Sequence, residues 1–197
     1  MNKWLISLLV IVVVFLVFQL VVSMKTSDIE TPKYEVLKKF PLFELRQYES
    51  MMLATTNLGP TSFDEKGSEG FRTIASYIFG KNKSNEKIAM TAPVIYHADS
   101  MSTLSFVVPR SKAKGEMPIP IDSNLTFVVQ APKLMVVLDF GGFVNDEKIA
   151  YRMEELQKAA LKEGFQIKGK GFYFGYNPPW QLIGRKNEVA FEIESVN

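Results

Sequence analysis

The segment KLMVVLDFGGFVNDEKIAYRMEELQKAALKEG, Lys133 to Gly164, changes its hydrophobic period halfway along. Lys133–Phe140 is dense in β-branched and apolar residues and reads as a strand, which Gly141-Gly142 ends. Asn145 then offers an N-cap, with Asp146 and Glu147 in a first turn whose dipole favours negative charge. Ile149, Met153, Leu156 and Ala160 trace one apolar stripe at helical spacing, and Gly164 closes the helix. Leu125–Gln130 precedes this unit as a strand; Gln166–Lys170, Phe172–Tyr176 and Glu188–Glu194 follow it as strands.

The same order occurs earlier in the chain. Tyr34–Lys39, Phe43–Tyr48 and Met51–Leu58 read as strands and end at Gly59-Pro60. Phe63–Phe79 predicts a helix through Phe63, Phe71, Ile74, Ala75 and Ile78, stopping at Gly80. Gly67 and Gly70 weaken its first turns. Ile88–Met90, Val94–His97 and Leu104–Val108 are predicted strands. Strands, a helix and strands, stated twice, imply an internally duplicated α+β fold whose curved, mostly antiparallel sheet carries two helices.

Ahead of both units lies Leu5–Val22, apolar except for Ser7 and Gln19, with Trp4 at its leading edge. Eighteen residues form a helix of roughly 27 Å, close to the hydrocarbon thickness of a bilayer. Residues 1–24 are therefore expected to be a transmembrane anchor, preferred over a cleaved signal peptide ending at Val21-Val22-Ser23. Residues 25–32 read as a linker and 33–197 as the folded domain. The four residues ahead of the apolar run favour a single-pass arrangement with the domain on the extracytoplasmic side.

Composition excludes several functions. The chain has 197 residues, 23 Lys+Arg, 21 Asp+Glu, no cysteine and one histidine. Lys3 and Lys25 are the only charges in residues 1–27, so the remainder is formally neutral and has no basic nucleic-acid footprint. Thiol nucleophiles, iron–sulfur clusters and multi-histidine metal sites are ruled out. Catalysis would need a carboxylate pair or a serine activated by His97, and no such motif is visible.

A few residues invite a chemical role. His97 ends a predicted strand on which it shares a face with Ile95. It is either an axial ligand to haem iron or a strand-end histidine bonded to Asp99 or solvent. Met90, in Lys87-Ile88-Ala89-Met90-Thr91-Ala92-Pro93-Val94, offers a thioether ligand or ordinary core filling. Pro93 cannot donate to a ladder and marks an edge or a bulge. In Gly175-Tyr176-Asn177-Pro178-Pro179-Trp180 the two prolines stiffen a loop that presents Tyr176 and Trp180. That loop is a wall for a flat apolar ligand or a plug at the end of a barrel. Lys81 and Arg185 meet carboxylates of a ligand or lie on solvated turns.

These blocks, taken together, resemble the SOUL haem-binding protein family. The resemblance rests on Phe43-Glu44-Leu45-Arg46-Gln47-Tyr48, on Gly70-Phe71 with Tyr77-Ile78-Phe79-Gly80-Lys81-Asn82, and on the Lys87–Val94 block. Phe106-Val107-Val108-Pro109, Tyr176-Asn177-Pro178-Pro179-Trp180 and Arg185-Lys186-Asn187-Glu188-Val189 continue it in order. It covers Tyr34 to Ile193. The resemblance implies a duplicated strand–helix–strand–strand unit forming a distorted antiparallel β-barrel with two flanking helices, here preceded by one transmembrane helix. It also implies non-covalent binding of haem or another tetrapyrrole, without turnover, in a shallow apolar site.

The expected site places the macrocycle on Phe63 and Phe71 and against Tyr176 and Trp180. Lys81 or Arg185 meets its propionates, and Met90 and His97 are candidate contacts. The expected partners are the tetrapyrrole and, through residues 5–22, the lipid bilayer. A competing expectation is a tethered interaction or lipid-sensing module that uses the same groove without haem.

Overall fold

A computed structural model describes residues 3–113 and 115–194 of the chain. Met1 and Asn2 of the expected anchor, and residues 195–197 of the expected domain, lie outside them. The element order is α1 (Lys3–Ser27), β1 (Tyr34–Lys39), β2 (Glu44–Tyr48), β3 (Met51–Gly59), α2 (Phe63–Ile78), β4 (Val94–His97) and β5 (Ser102–Val107). Then come β6 (Leu125–Gln130), β7 (Lys133–Gly141), α3 (Asp146–Lys162), β8 (Ile167–Gly175) and β9 (Lys186–Ile193).

All nine strands form one sheet in the order β1-β2-β7-β9-β8-β4-β5-β3-β6, and every pairing between named strands is antiparallel. The duplication is written in that order. β3, α2, β4 and β5 form one unit; β7, α3, β8 and β9 form the other. The units meet where β4 pairs with β8, and there Tyr96 stands opposite Tyr173. Each unit also borrows an edge strand: β2, which precedes β3, pairs with β7, while β6, which precedes β7, pairs with β3.

Three expectations are corrected here. The sheet curls into a half-barrel rather than a barrel, because β1 and β6 end it as separate edges. Ile88–Met90 is not a strand. Its Ile88 is buried, and the Ile88 amide bonds the Ile78 carbonyl just past α2. The two strands predicted over Gln166–Tyr176 are one strand, β8, whose register shifts between Lys168 and Phe172 around Gly169 at φ +63°.

Strand alternation sorts the side chains into two layers. On one face Leu45, Tyr96, Leu104, Phe106, Val136, Leu138, Tyr173, Val189 and Phe191 meet the buried stripes of α2 and α3. The other face, inside the curl, holds Tyr48, Leu53, Ile95, Val107, Met135, Val137, Phe174 and Ala190. α2 begins with a complete capping box: the Ser62 hydroxyl accepts from the Glu65 amide, and the Glu65 carboxylate accepts from the Ser62 amide. α3 starts at Asn145 as predicted, with its side chain accepting from the Lys148 amide.

α1 is apolar, and its stretch Lys3–Met24 is 22 residues long. At about 1.5 Å per residue that is long enough to cross a membrane, and its length and composition equally suit a signal sequence. Its apolar side chains are exposed apart from the half-buried Val22, and Gln19 is the fully buried side chain among its described residues. The helix runs on to Ser27 through the start of the expected linker. Beyond it Glu30 bridges to Thr91, and its carboxylate takes Arg110.

Candidate functional site

The expected site residues fall in four places. Phe63 opens α2 and is packed edge-on against both Tyr96 and Tyr173, with ring centroids 5.4 and 5.1 Å away. Phe71 lies two turns further along, on the outer flank, and is 39% exposed. It was expected on the buried stripe with Ile74 and Ile78. The close approach of α2 to the sheet is instead made at Gly70, where a Cβ would meet Leu58 and Leu104, and Phe71, the next residue, faces outward. Ala75 and Phe79 continue from Phe71 at intervals of four, so α2 shows an apolar ledge in which a small residue sits between two exposed phenylalanines.

Lys81 lies elsewhere. It lines a groove of about 450 Å³ with Glu69, Arg72, Thr73, Tyr77, Ile121 and Asp122, on the side of α2 turned toward the β5–β6 connection. Charges of both signs line that groove. Arg72 stands between groove and ledge, since it lines the first and directly follows Phe71.

Tyr176 and His97 lie on the inner face of the curl. Phe172, Phe174 and Tyr176 alternate with Tyr173, so Tyr176 points away from the layer that holds Phe63. One macrocycle therefore does not rest on both Phe63 and Tyr176, which corrects the composite site expected from the sequence. The Tyr176 hydroxyl donates to Glu188 Oε2 at 2.6 Å. Burial, reinforced by the Glu188 charge, pushes the Tyr176 phenol far above its ordinary pKa. His97 stacks on Phe172 at 4.2 Å with 11° between the rings. Burial lowers its pKa, and Asp99 only partly offsets this. As an axial ligand to a macrocycle on the α2 ledge, His97 is on the wrong side of the sheet.

Sequence reading missed the centre of this inner face. Glu188 is fully buried and Arg46 nearly so, and they pair at 3.0 Å. Glu188 also receives Lys186 Nζ at 3.0 Å, and Arg46 Nη1 donates to the Tyr48 hydroxyl. Burial by itself would lower the Arg46 guanidinium; the Glu188 charge, together with Tyr48 and the hydrogen bonds to both, more than reverses this, so its pKa ends raised. Beside the cluster is a void of about 10 Å³ between Pro32, Pro93, Ile95, Met135, Phe174 and Tyr176. That is room for at most one water. No flat ligand fits there.

Trp180 and Arg185 belong to the loop joining β8 to β9. Trp180 is 58% exposed. Arg185 does not point to solvent. Its Nη1 donates to the carbonyls of Pro178 and Gln181 at 2.9 and 2.8 Å, and its guanidinium lies 4.7 Å from the Phe143 ring. It is a strut of the loop, which corrects its expected role toward a propionate. Met90 is exposed, in the irregular run before Thr91. Among the described residues no group of three or more His, Cys, Asp or Glu is placed to hold a metal ion.

The geometry defines a duplicated α+β half-barrel with an aromatic ledge on its first domain helix and a braced loop beside α1. Comparison with known proteins carries this further. The sequence profile of the SOUL heme-binding protein family matches residues 29–192, and the chain belongs to that family. Heme-binding protein 2 of Homo sapiens is 30% identical over 156 residues, 75% of this chain and 76% of the relative. Heme-binding protein 1 of Xenopus laevis is 27% identical over 76% of this chain and 82% of its own length. Among solved structures, the EcmrR C-terminal domain matches with a TM-score of 0.59 at 14% identity, over 83% of this chain and 99% of that domain. That likeness concerns the fold alone.

Proposed function

We propose that this protein binds haem or a related tetrapyrrole, non-covalently and without turnover, against the outer flank of α2, and that α1 anchors it in a membrane. The family name of its relatives supports the ligand class. The observation that carries the location is the ledge: Phe71 and Phe79 are exposed with the half-buried Ala75 between them, a shallow apolar step about 12 Å long at about 1.5 Å per residue. Arg72 is the cation nearest in sequence to that step, suited to pair with a propionate. The groove around Lys81 has apolar residues of its own, Tyr77, Pro120, Ile121 and Leu125, but mixes them with charges of both signs, Glu69, Arg72, Lys81 and Asp122. The residues on the ledge supply no imidazole, so the macrocycle is held by apolar contact and charge rather than through His97.

The test is titration of hemin into the full chain in detergent, followed in the Soret band. A saturable shift is expected at micromolar protein. Replacing Phe71 and Phe79 together by Ala removes two apolar contacts and should weaken binding roughly tenfold or more. His97→Ala should leave the spectrum unchanged. An unsaturable titration rejects the ligand class; wild-type affinity in the double variant rejects the ledge. For the anchor, alkaline extraction of membranes carrying the full chain should leave it in the pellet, with a protease added outside the membrane reaching residues 33–197.

A further inference from the structure

The loop Asn177–Gly184 combines two properties seldom found in a water-exposed turn. Its apolar side chains face outward: Trp180, Leu182 and Ile183 are 58%, 46% and 52% exposed. Its backbone carbonyls, in contrast, are mostly partnered from within. Six of its eight carbonyls accept from side chains: Asn177, Pro178 and Gln181 from Arg185, Ile183 and Gly184 from Gln181, and Trp180 from Gln19. The Gln181 amide returns to the Pro178 carbonyl, and Pro178 and Pro179 have no amide to leave unpaired. A turn in water has no need for so much internal pairing, because water supplies it. A segment that leaves water needs it.

The loop is also fixed to α1. Gln19 Nε2 donates to the Trp180 carbonyl at 3.2 Å, and the Leu182 amide donates to Gln19 Oε1 at 2.8 Å. One turn on, Ser23 Oγ lies 3.7 Å from where a side chain on Gly184 would begin, and Thr26 donates to Gln181 Oε1 at 3.0 Å. Gln19, Ser23 and Thr26 thus form one polar stripe, and the loop lies along it. An amide inside an apolar span is costly unless partnered, and here both ends of the Gln19 amide have a loop partner.

We propose that the Asn177–Gly184 loop is a second membrane contact, inserting Trp180, Leu182 and Ile183 into the bilayer interface beside the end of α1. The inference rests on α1 being a membrane anchor. Gln19 precedes Met24, the last residue of the apolar stretch, by five residues, or about 7.5 Å along the helix. The loop therefore sits at the shallow depth where tryptophan concentrates. The domain is held at two points, so α2 and its ledge keep a fixed orientation toward the membrane rather than swinging on a tether.

Trp4 and Trp180 are the two tryptophans of the chain, so Trp4→Phe leaves Trp180 as a single reporter. The full chain carrying this substitution is reconstituted into phosphatidylcholine–phosphatidylglycerol vesicles. Vesicle flotation reports anchoring, and quenching reports the loop. Trp180 emission should be blue-shifted and poorly quenched by aqueous acrylamide. Lipids brominated near the headgroup end of the acyl chain should quench it roughly twofold more than lipids brominated near the methyl end. A chain that floats while Trp180 is quenched by acrylamide and by neither lipid overturns the loop insertion and leaves the anchor standing. So does a blue-shifted Trp180 that no brominated lipid reaches, which would mean the loop packs on protein. A chain that fails to float overturns the anchor and the insertion together.

Discussion

Asp64 and Asp146 cap each other's helix. Asp64 Oδ2 accepts from the Asp146 amide at 3.0 Å, and Asp146 Oδ2 accepts from the Asp64 amide at 3.2 Å. Asp146 Oδ1 also takes the Phe63 amide at 3.0 Å. The exchange marks the axis of the duplication, because the Phe63 ring touches Tyr96 and Tyr173, which face each other across β4 and β8. The two helix N-termini share their unpaired amides and, with them, two carboxylates that the positive helix ends favour.

Removing one side of this exchange should therefore hurt unequally. Asp146→Ala strips partners from two α2 amides and Asp64→Ala from one α3 amide. Both should lower stability by about 0.5–2 kcal/mol, the first more than the second. The double variant should cost less than the sum. Urea denaturation of the four proteins measures this, and strict additivity would separate the two caps.

Gly70 tests how closely α2 approaches the sheet. A Cβ there would lie 2.7 Å from Leu58 Cδ2 and 3.2 Å from Leu104 Cβ. In an exposed helix Gly→Ala gains about 1 kcal/mol of propensity. Here the clash with the buried Leu58 should cost about 1–3 kcal/mol, the usual range for overpacking, so the net change should be a loss of up to about 2 kcal/mol. A rise in thermal midpoint for Gly70→Ala would show that α2 can shift outward freely.

Gly70 also shows what the sequence discloses and what it does not. It read as a flaw in a helix, because period and propensity concern one element at a time; its purpose lies in Leu58 and Leu104. Element order, both helix starts and the duplication were legible, since they depend on local pattern and capping. The Ile88–Met90 strand was misread because three apolar residues fit either a ladder or a buried loop. Glu188 was invisible for the same reason as Gly70: Arg185-Lys186-Asn187-Glu188 looks solvated until β9 alternation turns Glu188 inward to Arg46, a partner 142 residues away. The composite ledge failed because Phe63 and Tyr176 belong to opposite faces, which only the strand register of β8 decides.

The Arg46–Glu188 pair should be strongly coupled. Removing either partner leaves a buried charge, so Arg46→Met or Glu188→Leu should cost about 3–5 kcal/mol. Lys186 and Tyr176 also bond Glu188, and Glu44 also pairs with Arg46 at 2.8 Å, so both single variants should fall toward the lower end of that range. The double variant, an apolar pair of similar volume, should recover most of the loss. A double-mutant cycle by chemical denaturation checks this; no recovery would mean that Tyr48, Tyr176 and Lys186 need the charges in place.

His97 should make stability depend on pH in the mildly acidic range. Its imidazole is partly buried on Phe172, and desolvation, only partly offset by Asp99, holds its pKa below the ordinary value. The unfolded chain titrates near the reference of about 6.5. Between that value and the lower folded one, the unfolded state binds more protons, so stability rises with pH. The contribution is complete above the unfolded pKa and disappears as pH falls through the folded one. His97→Gln keeps a polar side chain that stays neutral, so the drop in thermal midpoint between neutral and mildly acidic pH should be smaller in the variant. Equal slopes would mean that His97 is solvated in the folded protein. Because His97 faces the inside of the curl and the proposed ledge lies on α2, hemin affinity at neutral pH should be the same in both proteins, which separates a structural histidine from a ligand in a single pair of samples.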